Sequence, residues 1–160
     1  MVTDRELGFP RGIADEKQLF LAWLGYLRGA VIRSAEGVDD EGARWRPDGA
    51  LISLIGIINH LTCVEWRWID GGMGGDEVDR SETEFNPGPE LTVVDAVAAY
   101  RARAVATDAA VRAMRSLDQP CRWGEGTTLR WVLLHLVNET ARHAGHADAT
   151  RELLDGATGE

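Results

Sequence analysis

Cysteine and lysine are nearly absent from this chain of 160 residues, which has two cysteines and, at Lys17, a single lysine. Two cysteines, Cys63 and Cys121, cannot build the disulfide framework of a small secreted protein, so we expect both to be reduced thiols. No Cys-x-x-Cys pair occurs, which argues against a structural zinc knuckle.

A net positive charge and long apolar segments are absent as well. The net charge of −9 argues against a general nucleic-acid binder, which would carry a basic face. Charged residues interrupt every apolar stretch well before about 18 residues, so no transmembrane helix is expected. Residues 1–6 show no basic segment leading into an apolar run, so we expect no signal peptide. These absences predict a cytoplasmic protein without a membrane or nucleic-acid partner.

Familiar catalytic motifs are missing as well. No Gly-x-Ser-x-Gly nucleophile elbow occurs. The glycine run 71–75 follows a predicted helix and lacks the Lys-Ser/Thr pair of a phosphate-binding loop. Any chemistry must therefore come from another arrangement of side chains.

Helical periodicity dominates what is present, since apolar residues recur at spacings of three and four and no strand pattern appears. Asp15 is a predicted helix cap, and Thr92 with Asp95 has the spacing of a capping box. This length suits one domain, residues 1–160, of the all-α class with a four-helix bundle. The predicted helices span residues 15–35, 53–69, 91–116 and 128–154.

The segments that connect these helices contain turn-forming and charged residues. Residues 37–41 are expected to break the first helix, and the glycine run 71–75 is expected to end the second. A long surface loop should follow to residue 90, and long loops often act as lids or rims. Its acidic stretch 76–84 is expected to be solvated.

The fourth helix carries the most informative spacing, Glu139 four residues before His143, which places both on one face of the helix. That face continues the apolar positions Val132 and Leu136, so both groups should point towards the core. A buried carboxylate and imidazole are costly unless they are paired or bind an ion. With His60 on the second helix they can form a three-ligand site for a divalent metal, with open coordination positions.

Ordinary structural explanations remain open for each of these groups. His60 can be a core histidine that is hydrogen-bonded to a neighbour. Glu139 and His143 can be a surface pair that stabilises the helix by only about 0.2–0.5 kcal/mol. His135 can replace one of the ligands, although a packing or supporting role is favoured for it.

Two further groups near the candidate ligands have open roles. His146 follows His143 by three residues and can hydrogen-bond a ligand. Cys63 lies one turn after His60 and can ligate zinc, but a small buried apolar role is favoured.

Five segments resemble the DinB-like superfamily, in particular an actinobacterial branch of it. Segments 54–61 and 64–68 resemble its second helix, with the sequences LIGIINHL and VEWRW. Segments 129–136 and 139–148 resemble its last helix, with LRWVLLHL and ETARHAGHAD. The terminal segment 153–160, LLDGATGE, matches the actinobacterial branch.

The resemblance implies an up-down-down-up four-helix bundle, often a homodimer, with three residues that bind a divalent metal, zinc or nickel. Many members use three histidines, whereas the mycothiol-dependent maleylpyruvate isomerase branch has a Glu four residues before the last His. By position the implied ligands are His60, Glu139 and His143. His146 stands where many members have Gln.

Mycothiol and bacillithiol S-transferases are among the implied relatives, and they suggest the functional hypothesis. A low-molecular-weight thiol such as mycothiol, made reactive by zinc, would attack a small-molecule electrophile. The alternatives are a non-catalytic metal-binding or stress-related bundle protein, and a metal-dependent hydrolase.

Overall fold

The computed structural model describes residues 8–48 and 51–159; the expected absence of a signal peptide rests on residues 1–6, which lie outside them. Within the described residues the chain forms five α-helices and one π-helix and no β-strand, which confirms the all-α class. None of these helices is both long enough and apolar enough to cross a bilayer. The elements are α1 Glu16–Ser34, α2 Asp40–Arg44, α3 Leu54–Trp66, the π-helix Arg67–Gly74, α4 Val93–Ala113 and α5 Leu129–Asp155.

The four predicted helices are confirmed, with ends that differ by one to a few residues, and the predicted caps explain where two of them begin. The Asp15 carboxylate accepts a hydrogen bond from the backbone N–H of Gln18 at 2.8 Å. The Thr92 hydroxyl accepts from the N–H of Asp95 at 3.1 Å and donates to the Asp95 carboxylate. These contacts satisfy N–H groups that have no partner within the first helical turn.

The predicted break of the first helix at residues 37–41 is confirmed, but a short helix that was not predicted begins within this segment. Gly37 turns the chain with a φ of 73°. A short helix, α2, then begins, because the Asp39 carboxylate caps it by accepting from the N–H of Gly42 at 2.8 Å. The same acidic residues that argue against a continued first helix therefore start a new one.

The glycine run 71–75 ends the second helix as predicted, but the helix extends beyond the expected end at residue 69, because it continues as the π-helix and stops at Gly75, with a φ of 93°. Tertiary packing explains the difference. A Cβ atom on Gly71 would lie 2.6 Å from the ring of Trp123, so the bare glycine backbone lets that ring pack directly on the helix. π-helical segments are rare in proteins, and those that occur often lie at functional sites.

Helix α1 packs mainly against α5, and α3 packs against α4 and α5. The apolar core has two clusters that meet near the middle of the helices. One includes Ala30, Ile57, Tyr100 and Ala147, and the other includes Leu24, Val64, Val111 and Leu133. On α5 the second cluster ends at Leu136 and the first begins at Ala144, and Glu139 and His143 lie between them. The candidate site therefore lies at the level where the two clusters meet.

A buried ion pair links α1 to α3. The guanidinium of Arg28 donates to both carboxylate oxygens of Glu65, at 2.8 and 2.7 Å, and to Asp108 at 2.8 Å. Glu65 is buried, like its neighbour Val64. Arg28 is buried as well, although an arginine on a helix is usually solvated.

Residues 76–91, which we call the strap, cross from the π-helix to α4 without regular helix or strand structure. Arg44 fixes one end, because its guanidinium donates to the carbonyl oxygens of Pro87, Gly88 and Leu91 at 2.6–2.8 Å. The middle of the strap lies directly on α3. A Cβ atom on Gly56 would lie 2.2 Å from the carbonyl oxygen of Phe85.

Replacing Gly56 with alanine is expected to destabilise the protein by about 1–3 kcal/mol, because the new methyl group overlaps the strap backbone. Gly145→Ala is the matched control, since Gly145 is also helical but has nothing within 4 Å of its Cβ position. That change should stabilise the protein by about 1 kcal/mol through helix propensity. Urea unfolding measures both, and equal stabilisation by the two changes would contradict the close approach.

Candidate metal centre

Helices α3 and α5 bring together the three side chains that the sequence singles out. The Nε2 atom of His60 lies 3.6 Å from Oε2 of Glu139, and the Nε2 atom of His143 lies 3.5 Å from the same oxygen. One possible ligand atom from each residue lies within 4.8 Å of the other two. His60 and His143 are 5% and 8% exposed, and the Glu139 side chain is 19% exposed. Their convergence agrees with the spacing argument, and their role as ligands stays a prediction.

The donor atoms of this cluster are not satisfied by one another. His60 Nε2 is buried and has no hydrogen-bond partner among the described residues. Its 3.6 Å separation from Glu139 is longer than an ordinary hydrogen bond. Buried polar atoms normally have a partner, so this nitrogen lacks one that a cation would supply.

The spacing and chemistry of the three groups fit a divalent metal. Two atoms bound at about 2.0–2.2 Å to one tetrahedral zinc ion lie about 3.4 Å apart. The separations of 3.5 and 3.6 Å from Glu139 are close to that value. Two imidazoles and one carboxylate are also a donor set that zinc accepts in catalytic sites.

Glu84 is a buried carboxylate that contacts the candidate ligand His60, a contact that the sequence pattern does not predict. The acidic stretch was expected to be solvated, but Glu84 is only 2% exposed. Its Oε1 lies 2.5 Å from Nδ1 of His60, and Arg67 donates to both of its carboxylate oxygens at 2.5 and 2.9 Å. No spacing rule links residue 84 to a histidine 24 positions earlier. The aromatic Phe85 beside it is the one local sign of burial.

The buried setting keeps both histidines in the form that binds metals. Burial lowers the pKa of His60, and the neighbouring Glu84 and Glu139 offset this only in part. Burial, and then the nearby His60, lower the pKa of His143 to about 4, although Glu139 opposes them. Both imidazoles are therefore neutral near pH 7, as metal ligation requires.

The carboxylate of Glu84 is correspondingly ionised. Burial alone would raise its pKa, but hydrogen bonds from Arg67 and then from His60 outweigh burial and lower it. The group next to His60 is thus a charged acceptor at neutral pH.

His135 does not belong to this cluster. Its ring stacks on Trp131, with centroids 5.1 Å apart and an interplanar angle of 13°. The centroid of its ring also lies 4.9 Å from that of Trp68. These contacts agree with the favoured packing role.

His146 and Cys63 lie close to the cluster without joining it. The His146 ring lies 5.3 Å from that of His143, and its Nδ1 is buried without a hydrogen-bond partner among the described residues. Cys63 is half-buried, and burial followed by Glu84 raises the pKa of its thiol. A raised thiol pKa disfavours the thiolate that would bind a metal.

A comparison with protein families decides the relationship. The family model described as Mycothiol-S-transferase matches residues 19–156. The chain belongs to the mycothiol S-transferase family. The matched region runs from α1 to the end of α5, so it includes all three candidate ligands. A search of curated proteins found no match. The mycothiol-related resemblance seen in the sequence is thereby confirmed.

Proposed function

We propose that this protein is a metal-dependent mycothiol S-transferase in which His60, Glu139 and His143 hold one divalent cation. The unsatisfied Nε2 of buried His60, facing a carboxylate and a second imidazole, is the observation that carries the proposal. Membership of the family supports mycothiol as the thiol. Zinc suits the donor set best, and nickel is the alternative.

The side chains around the site have separable roles. His60 and His143 provide neutral nitrogen donors, and Glu139 provides a negative charge that offsets part of the charge of the cation. Glu139 is the most exposed of the three, so small molecules would enter from its side. The cation would supply Lewis acidity, which lowers the pKa of a coordinated thiol.

The proposed overall reaction needs no nucleophile from the protein. Mycothiol releases its thiol proton to solvent, and its sulfur forms a bond to the electrophilic carbon. The displaced group leaves with the electron pair of the bond that breaks. The protein holds the reactants together and keeps bulk water away from them.

We also propose that residues 1–160 form a single domain whose four long helices make an up-down-down-up bundle. The pairing of α1 with α5 and of α3 with α4, around two shared core clusters, supports this architecture. The homodimer remains a prediction of the DinB-like resemblance.

Thermal shift combined with a transfer assay tests the proposed function. Mycothiol is expected to raise the melting temperature of the zinc-loaded protein and not that of the metal-free protein. The zinc-loaded protein should also convert mycothiol and a reactive halide into the thioether. No thiol response with zinc or nickel would favour a non-catalytic metal-binding protein. Cleavage of simple esters without thiol transfer would favour the hydrolase.

A further inference from the structure

The strap reaches the candidate metal centre through Glu84, whose carboxylate meets the side of the His60 ring opposite to Glu139. We propose that Glu84 is a positioning residue that holds His60 as the Nδ1–H tautomer and aims its Nε2 lone pair at the metal. This inference rests on the proposed function, since it concerns a metal bound at that site.

The hydrogen-bond pattern around Glu84 determines which nitrogen of His60 carries the proton. Both oxygens of Glu84 accept from the guanidinium of Arg67, and Oε1 also meets Nδ1 of His60. A carboxylate can only accept, so Nδ1 must donate. The other nitrogen of a neutral imidazole is then an acceptor with a free lone pair.

Neighbouring contacts fix the orientation of the ring as well as its proton. The Phe85 ring stacks on His60, with centroids 4.1 Å apart and planes 24° apart. The side-chain amide of Asn59 donates to the carbonyl oxygen of Glu84 at 2.7 Å, which ties the strap to α3 beside the histidine. Two consecutive strap residues therefore hold His60 from its face and from its edge.

Burying the carboxylate of Glu84 costs free energy, and its contacts with Arg67 and His60 offset that cost as expected for a positioning residue. A carboxylate removed from water is expensive unless it is paired and hydrogen-bonded. Arg67 supplies that pairing, and side-chain partners of metal-binding histidines commonly orient the ring and raise its basicity. Glu82, two residues earlier on the same strap, is exposed.

The tautomer of His60 can be measured directly in the metal-free protein. Nitrogen-15 NMR correlations of the imidazole near neutral pH should show a protonated Nδ1 and an unprotonated Nε2. A protonated Nε2 in the native protein would overturn the proposal. This readout needs neither bound metal nor activity, and it uses the native chain alone.

Zinc affinity supplies the second test, by competition with a chromophoric chelator. Glu84→Gln is expected to weaken zinc binding by about 10–100-fold, because an amide can donate to His60 and favour the wrong tautomer. Glu82→Gln removes the same charge from an exposed position and should leave zinc affinity unchanged. Native affinity in Glu84→Gln would overturn the positioning role.

The two tests separate this inference from the proposed function. If the native protein binds neither zinc nor nickel, the metal site itself is refuted. If the native protein and Glu84→Gln bind zinc equally, only the role of Glu84 is refuted. If Glu84→Gln does not fold, the tautomer of His60 in the native protein still tests the role of Glu84.

Discussion

The His143→Ala protein is expected to lose stoichiometric zinc and, with it, mycothiol transfer. Removing one of three proposed ligands leaves two donors, His60 and Glu139, which can no longer enclose the cation. Zinc affinity should fall by more than the factor of about 10–100 that is typical when a hydrogen-bond partner of a ligand is replaced. Metal content after dialysis, measured by mass spectrometry, gives the stoichiometry, and the transfer assay gives the activity.

His135→Ala is the matched control for this experiment. It removes a histidine from the same helix, four residues before Glu139, but its ring packs on Trp131 and Trp68 instead of joining the cluster. Zinc content should therefore be retained. Unchanged zinc in His143→Ala, or equal loss in His135→Ala, would remove His143 from the proposed ligands.

Replacing Glu65 with leucine is expected to destabilise the protein by about 3–5 kcal/mol, because Arg28 would remain buried without its bidentate partner. For a chain of this size the corresponding fall in melting temperature is about 6–20 °C. Asp108 would remain as a partner of Arg28, but it contributes a single hydrogen bond and is partly exposed. Thermal and urea unfolding of the metal-free protein measure the effect.

A second variant distinguishes loss of the ion pair from loss of packing. Combining Arg28→Met with Glu65→Leu removes both charges and should recover most of the lost stability, because apolar residues can replace a buried pair at little cost. Asp108→Asn should cost less than Glu65→Leu. A double variant as unstable as Glu65→Leu would show that the volume of the side chains matters more than their charges.

The helices could be predicted from sequence because their signals are local. The spacing of apolar residues and the caps Asp15 and Thr92 act within one or two turns, and the structure places helix starts next to them. The π-helix could not be foreseen, because Trp123 stabilises it from a segment almost fifty residues later. Gly75 ends the helix, as glycine in the sequence indicates, whereas Gly71 inside the helix permits the close packing of Trp123.

The candidate site likewise contains residues that could be predicted from the sequence and one that could not. Glu139 and His143 are predictable because four residues along one helix set their spacing. The prediction of His60 as a ligand required both its apolar surroundings in the sequence and the family resemblance. Glu84 was missed, since its acidic neighbours are solvated and its burial depends on Arg67 and His60 across the fold.

Anomalous diffraction from crystals of the native protein, purified without chelator, tests the metal site most directly. We expect one strong anomalous peak per chain, within bonding distance of His60 Nε2, Glu139 and His143. An absorption edge scan would identify the cation as zinc or nickel. The absence of a peak between these three side chains in crystals soaked in zinc would contradict the proposed metal site.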